Sequence, residues 1–567
     1  MRSAETSTDL DARAIQAFED ALIEGMPALE GETQEGLVTR ALASKGAIAF
    51  SFSIHSNGLK QSWSRTYGVR RNAKGLAEAA ACDPDKVLVP IPSFCSSEAE
   101  AAEWREYQLD VRKGVLEQAI ADSDESVGAG FAGASVPVSR TTSFQIQSIS
   151  KAIAGVAAMR LVQRGLIDLD MNIDHALKKA GFDLDSKLPH GCDTVVNITL
   201  RMLFGHAAGI SGWGYDGYNR QKVLDGSLAI PTTLGVVSGD GNSAKLVLES
   251  IPDFVAVYSG GSFTLAQLVL ETITGKPLAD ILHEEVVLPL GLQHTFTDTK
   301  GNMNAGNFVC GHVGMEGLPL PGGFKVYPET AAAGIWSTAE DLCVLGDALF
   351  HSFHGLTEGG EPFLRRDLAR EMMEPRYPLT ATVSLGVGWE IRQLAGAEGQ
   401  AEFAFGHSGW GEGFRSDMQW CGLAGCGFAW VLSGMDDTDL VERAVKAVKK
   451  VYGFPEAVVP SSAAPGDQAP ASLDACVGTY FSMHNVLQKR GEAGNIRVER
   501  GKGGSLRFGF SSIAGTGLEV DPVDGETFSF KVFPRLEARF FVNERGVVCM
   551  KFGNFQFERK LEPVPSE

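Results

Sequence analysis

The chain has 567 residues, of which 44% are hydrophobic and 21% charged, and its formal net charge of −20 is spread along its length. That composition belongs to a globular protein of several domains, because single cores rarely grow past about 250–300 residues, and it excludes a disordered chain. A distributed acidic surface also excludes polyanionic partners, so neither nucleic acid nor anionic lipid is expected. The first twenty residues, MRSAETSTDLDARAIQAFED, hold no apolar stretch of signal-peptide length. No later run approaches the ~20 apolar residues of a membrane span, so a soluble, cytoplasmic protein with no membrane partner is expected.

In chain order, residues 8–30 read as an acidic amphipathic helix within an N-terminal helical extension over 1–45. GAIAFSFSIHSNGLKQSWSRTYGV (46–69) reads as two strands around an Asn57-Gly58 turn. Residues 72–136 are irregular and form a candidate insertion or lid. The apolar run after Ser148 repeats at Ile149, Ile153 and Val156 and stops at Gly165, which predicts a packed helix. Residues 171–350 read as mostly helical with Gly-rich loops. SLGVGWEI and GFAWVLSG, between 385 and 434, read as strands, and TDLVERAVKAVKKVYG is a closing helix. Pro455, Pro460, Pro465 and Pro470 mark a linker over 454–472. Beyond it Leu506, Phe508 and Phe510 alternate, as do Phe528, Phe530 and Val532, so 473–567 is predicted to be a small all-β barrel.

There are nine cysteines, at 82, 95, 192, 310, 343, 421, 426, 476 and 549. None has C-x-x-C spacing, so buried, reduced thiols are expected, with a Cys421–Cys426 bridge the one weak alternative. No His/Cys group has zinc spacing, and HEE at 283–285 is not H-E-x-x-H. No metal and no cofactor is implied.

The chemistry begins at SISK, residues 148–151. Positions i and i+3 share a helix face, so the Ser148 hydroxyl and the Lys151 amine can meet. A helix N-terminus favours a developing alkoxide, and a desolvated lysine can take the proton. The competing reading is a serine helix cap followed by a surface lysine. Three later stretches weigh against it: FGHAAGISG (204–212), VYSGGSFTLAQLVLETITGKPL with Tyr258 in a turn before an apolar helix, and FGHSGWGEGFRSDMQW (405–420) with His407-Ser408-Gly409 on a strand.

With SISK, these resemble the penicillin-recognising serine hydrolases: class C β-lactamases, D-aminopeptidases, DD-peptidases and related esterases and transesterases. There the order is S-x-x-K, Y-x-N, then K-T-G or H-x-G. GLIDLDMNIDHAL, VVLPLGLQHT and AAAGIWSTAEDL also fit the family's pattern. The resemblance covers about 46–452, apart from 72–136. It implies a β-lactamase-like α/β (α+β) sandwich over 46–453, an antiparallel sheet flanked by helices with an inserted, mostly helical subdomain. LDACVGTYF (473–481) resembles the opening of lipocalin-like barrels, which some family members carry at this end.

The resemblance assigns roles by position. Ser148 is the nucleophile, Lys151 its base, and Tyr258 the proton relay to the leaving group. The backbone N–H groups of Ser148 and Trp410 form the oxyanion hole. His407, Ser408, Gly409 and Gly260 line the substrate site, while His206 supports the site rather than reacting. Arg415 and Asp417 either pair with each other or offer Arg415 to a substrate carboxylate. Trp213 and Tyr215, with Trp410, are candidates to shape an acceptor site.

Two departures matter. Gly260 stands where Y-x-N has asparagine, and His407 stands where K-T-G has lysine. Both remove contacts a β-lactam substrate would need. The expectation is therefore an esterase, amidase or D-aminopeptidase-like hydrolase of a small molecule or short peptide. Acyl transfer through the same acyl-enzyme, or a non-catalytic binding protein on the same fold, are the alternatives. Homo-oligomerisation is left open.

Overall fold

The structure, a computed structural model, describes residues 7–56, 61–70, 136–184, 197–212, 214–248, 252, 256–298, 307–314, 317–357, 361–379, 383–395, 401–434, 439–456, 470–482, 496–501, 505–510, 517–523, 527–530, 537–542, 547–552 and 555–559. The Asn57-Gly58 turn, nearly all of 72–136, most of the 454–472 linker, Trp213 and Cys82, Cys95 and Cys192 lie outside these residues.

Helix α1 spans Ser7–Leu22 and α2 spans Gln34–Ala43. The single helix expected over 8–30 therefore ends early. Gly25 and Gly31, with φ of 79° and 75°, flank Pro27, and neither left-handed glycines nor a proline continue a helix. α2 restarts where the Thr33 hydroxyl accepts the Gly36 N–H at 3.1 Å.

Eight strands form one antiparallel sheet: β1 Ala47–Ser56, β2 Gln61–Gly68, β3 Tyr377–Pro378, β4 Val383–Leu385, β5 Glu390–Ala395, β6 Ala401–Gly411, β7 Phe414–Cys421 and β8 Cys426–Gly434. Their order is β3-β4-β5-β6-β7-β8-β1-β2, so the chain's early hairpin pairs with the last strand to join this sheet, Phe52 opposite Trp430. The register explains why β1 and β8 read as nearly continuous apolar runs: both faces are covered. Phe50, Phe52, Phe428 and Trp430 join Phe18 of α1 and the buried face of the closing helix Asp439–Tyr452 in one core. Ala49, Ala429, Val431 and Met418 face the other way, into the larger core that holds Ile149–Gln163 and Ala339–His354. The result is a helix–sheet–helix sandwich.

Phe18 fastens the N-terminal helix to this sheet. It is fully buried, with ring centroids 4.7 Å from Phe52 and 6.0 Å from both Phe50 and Trp63. Phe18→Ala is expected to lose about 3–5 kcal/mol. The check is the urea midpoint of the transition that carries the tryptophan signal.

Beyond the linker, eight strands from Gly478–Ser482 to Phe555–Arg559 pair in succession, and the first also pairs with the last, closing a barrel. Its period is two: Ile496, Val498, Leu506 and Phe508 are buried while Arg497, Glu499 and Arg507 are exposed. Tyr480, Phe508, Phe528 and Phe540 fill the interior, with centroids 5.6–6.0 Å from Phe540.

Among the described residues no helix is long and apolar enough to cross a membrane. The six described cysteines are buried thiols outside any disulfide, including Cys421 and Cys426, which face each other across the β7–β8 hairpin.

Candidate active site

The helix Ile149–Gln163, here α3, has Ser148 as its N-cap. A capping serine would turn its oxygen onto the first N–H groups, but Ser148 makes no such bond. Its Oγ lies 3.0 Å from Lys151 Nζ. Lys151 is only 3% exposed, so the reading as a cap and a surface lysine fails on both residues. α3 is buried on every side from Ile149 to Met159, which is why its first turn can hold an amine in the interior.

The amine also donates to the Ala332 carbonyl at 2.8 Å, and it lies 4.9 Å above the Tyr258 ring and 5.7 Å from the Phe263 ring. Burial alone pushes Lys151 down to about 7, from an ordinary 10.5. At neutral pH a substantial fraction of this lysine is therefore an uncharged amine beside a serine hydroxyl.

Ala332 was not legible as a site residue, since it acts through its carbonyl. It sits in the short helix Thr330–Ala333. Gln267 clamps that segment, accepting the Ala331 N–H at 3.0 Å and donating to the Pro328 carbonyl at 3.1 Å. Gln267 belongs to α4, Gly260–Thr274, whose N-terminus Tyr258 precedes. One helix thus sets the positions of both Tyr258 and the lysine's acceptor.

Strand β6 forms the opposite wall. β5 pairs with it only as far as Gly406, so 407–411 has β7 on one side and the Ser148 turn against it. A Cβ on Gly409 would fall 2.2 Å from the Ile146 carbonyl oxygen and 2.3 Å from Ser416 Oγ, and Ser416 Oγ itself donates to that carbonyl at 2.8 Å. The strand can lie this close only because residue 409 has no side chain.

His407 is buried on the face toward Tyr258, the two rings 6.2 Å apart. Its Nδ1 lies 2.7 Å from the Ser408 carbonyl, which can only accept, so Nδ1 carries a proton. The Trp410 side chain is 68% exposed and stacks under the Arg415 guanidinium at 4.5 Å. Gly260 is buried at the first turn of α4, where its carbonyl accepts from Thr264 Oγ1 at 3.2 Å. Tyr215 does not stand open as a free wall: its hydroxyl is 2.8 Å from Thr264 Oγ1.

Among the described residues only two non-glycines have positive φ: Gln147 at 49° and His206 at 56°. One immediately precedes Ser148 and the other stacks on Tyr258, with centroids 4.4 Å apart. Strained backbone concentrates where function over-determines it. No sequence signal pointed to Gln147. The structure therefore brings Ser148, Lys151, Tyr258, His407 and the 409–410 edge together. Among the described residues no group of His, Cys, Asp or Glu side chains is placed to hold a metal ion.

Comparison with known proteins follows the same lines. The family model described as Beta-lactamase matches residues 111–451, more than half of the chain. Esterase EstB of Burkholderia gladioli is 30% identical over 276 residues, 43% of this chain and 66% of the esterase. Penicillin-binding protein 4 of Amycolatopsis lactamdurans is 23% identical over 368 residues, 61% of this chain and 87% of that protein. In fold, the chain is similar to the crystal structure of SurE, with TM-score 0.56 and 15% identity over 98% of this chain and 99% of that one. It is also similar to the octameric penicillin-binding protein homologue from Pyrococcus abyssi, with TM-score 0.50 and 15% identity over 93% of this chain and 99% of that one. The chain belongs to the beta-lactamase family and is an enzyme of its serine-hydrolase type.

Proposed function

We propose that the chain cleaves an ester or amide through an acyl-enzyme on Ser148. The observation that carries this reading is the 3.0 Å contact between Ser148 Oγ and a fully buried Lys151 held near neutrality. In this scheme the uncharged amine takes the hydroxyl proton as Oγ bonds to the substrate carbonyl carbon. The oxyanion is received by the backbone N–H groups of Ser148 and Trp410. Its collapse breaks the bond to the alcohol or amine, which leaves with a proton passed through Lys151 and Tyr258. Water then attacks the acyl-enzyme and releases the acid. His407, Ser408, Gly409 and Gly260 line the substrate.

The preference is for an ester, amide or D-amino-acid derivative rather than a β-lactam, because Gly260 and His407 replace the asparagine and lysine of the family's motifs. Two neighbours support that choice: an esterase among the relatives, and the D-amino acid amidase of Ochrobactrum anthropi SV3, with TM-score 0.50. Acyl transfer is the second reading. Monacolin J acid methylbutanoyltransferase of Aspergillus terreus is 27% identical over 164 residues, 28% of this chain. The same reading divides the chain into a helical extension (1–45), the hydrolase domain (46–453), a linker (454–472) and a lipocalin-like barrel (473–567), and it places the protein in the cytoplasm.

A fluorophosphonate probe and p-nitrophenyl acetate test the core of it. Wild type is expected to be labelled and to turn over, and Ser148→Ala and Lys151→Ala to lose both. Folded wild type that takes no label would favour the non-catalytic alternative. An added alcohol that captures the acyl group in place of water would favour transfer.

A further inference from the structure

The geometry points to His206 as the residue that positions Tyr258 for proton transfer. This rests on the role proposed for Tyr258. The observation is a convergence: both N–H groups flanking Tyr258 end on this one histidine. The Val257 N–H donates to the His206 carbonyl at 2.9 Å, and the Ser259 N–H donates to His206 Nδ1 at 2.9 Å. Between these two bonds the imidazole lies against the phenol ring, 4.4 Å between centroids and 26° between planes. Phe263 backs it at 5.0 Å. Backbone and ring of Tyr258 are thus held by one residue's side chain and carbonyl, and the same phenol ring has the Lys151 amine 4.9 Å from its centroid.

His206 occupies a place that ordinarily selects glycine. It follows the helix Leu200–Phe204 with φ of 56°, and the Ala207 N–H returns to the Met202 carbonyl at 2.8 Å, which is a left-handed helix stop. A histidine there is unfavourable for the backbone, so its side chain must supply something glycine cannot. What it supplies is an acceptor and a flat face together.

The acceptor requirement fixes the ring's state. Nδ1 faces a backbone N–H and so carries no proton, which leaves the single ring proton on Nε2. Burial, and the neighbouring Lys151 and His407, hold the imidazole well below its usual range; Glu390 opposes them. Tyr258, stacked on the ring, is the titratable group in contact with it, and Lys151, His407 and Glu390 act on it through their charge. A neutral ring adds no positive charge beside an amine that must itself be neutral to act as a base.

The test compares His206→Gly, His206→Asn and Tyr258→Phe with wild type in p-nitrophenyl acetate turnover and in the rate of fluorophosphonate labelling. Glycine and asparagine both tolerate the left-handed backbone, so the fold is expected to survive. His206→Gly is expected to lower kcat and labelling rate by about 10–100-fold with KM little changed, and to displace the alkaline limb of the pH profile. His206→Asn, which restores an acceptor but no ring, is expected to recover part of that loss. A folded His206→Gly with wild-type kcat and pH profile overturns the inference, provided Tyr258→Phe is impaired. If Tyr258→Phe is as active as wild type, the role of Tyr258 fails and this inference fails with it.

Discussion

Replacing Lys151 by methionine is expected to abolish turnover and at the same time to remove a pH-dependent burden on stability. The first effect is the loss of the base, worth about 10²–10⁴-fold. In the wild type the labelling rate is expected to rise through pH about 7, as the amine loses its proton. The second effect follows from burial. The folded-state value is depressed to about 7 from 10.5, so the unfolded chain holds the extra proton between those limits. Below about 7 both states are protonated and the full penalty of the buried charge is present. Rising pH relieves it by about 1.4 kcal/mol per pH unit until the unfolded lysine also deprotonates. Other groups titrate over the same range, so the readout is a difference. Wild type should gain stability relative to Lys151→Met between pH 7 and 10 in parallel urea melts. A difference that stays flat with pH would show that the amine is charged in the fold, and the proposed base would be lost.

The second large effect is expected at Gly409. Alanine there would put its Cβ 2.2 Å from a backbone carbonyl and 2.3 Å from Ser416 Oγ, and the carbonyl has no rotamer by which to move away. Strand β6 must retreat from the Ser148 turn, carrying the Trp410 N–H with it. A shift on the order of 1 Å in a catalytic donor can cost about 100-fold. Gly411 is the control. Its added Cβ would meet the Gln147 amide group at 2.3 Å, the far end of a flexible side chain. Gly411→Ala should therefore cost much less in labelling rate than Gly409→Ala. Equal rates for the two would mean that β6 does not set the oxyanion geometry.

How much of this was legible depended on how local each feature is. The i, i+3 spacing of Ser148 and Lys151 is a property of the helix itself, and the alternation of Ile496, Val498, Leu506 and Phe508 is a property of strands. Both could be read from a few adjacent residues. The end of α1 at Leu22 could have been read as well, since Gly25, Pro27 and Gly31 were there to be weighed against an amphipathic pattern that continued past them.

Desolvation and convergence are different in kind. Lys151 is near neutrality because side chains from far along the chain, Tyr258 and Phe263 among them, bury its amine, while the carbonyl that holds the amine in place belongs to Ala332, 181 residues later. The Gln147 backbone takes its left-handed φ where β6, more than 250 residues further along the chain, packs against it. His206 meets Tyr258 across 51 intervening positions, through two hydrogen bonds whose donors are backbone N–H groups and carry no side-chain signature. The amino-acid order by itself determined the periods, the breaks and the motif residues with their order, because these depend on nearest neighbours along the chain. Only the tertiary structure decided which hydroxyl and which amine are desolvated together, because a dielectric environment is made by everything that packs around a site.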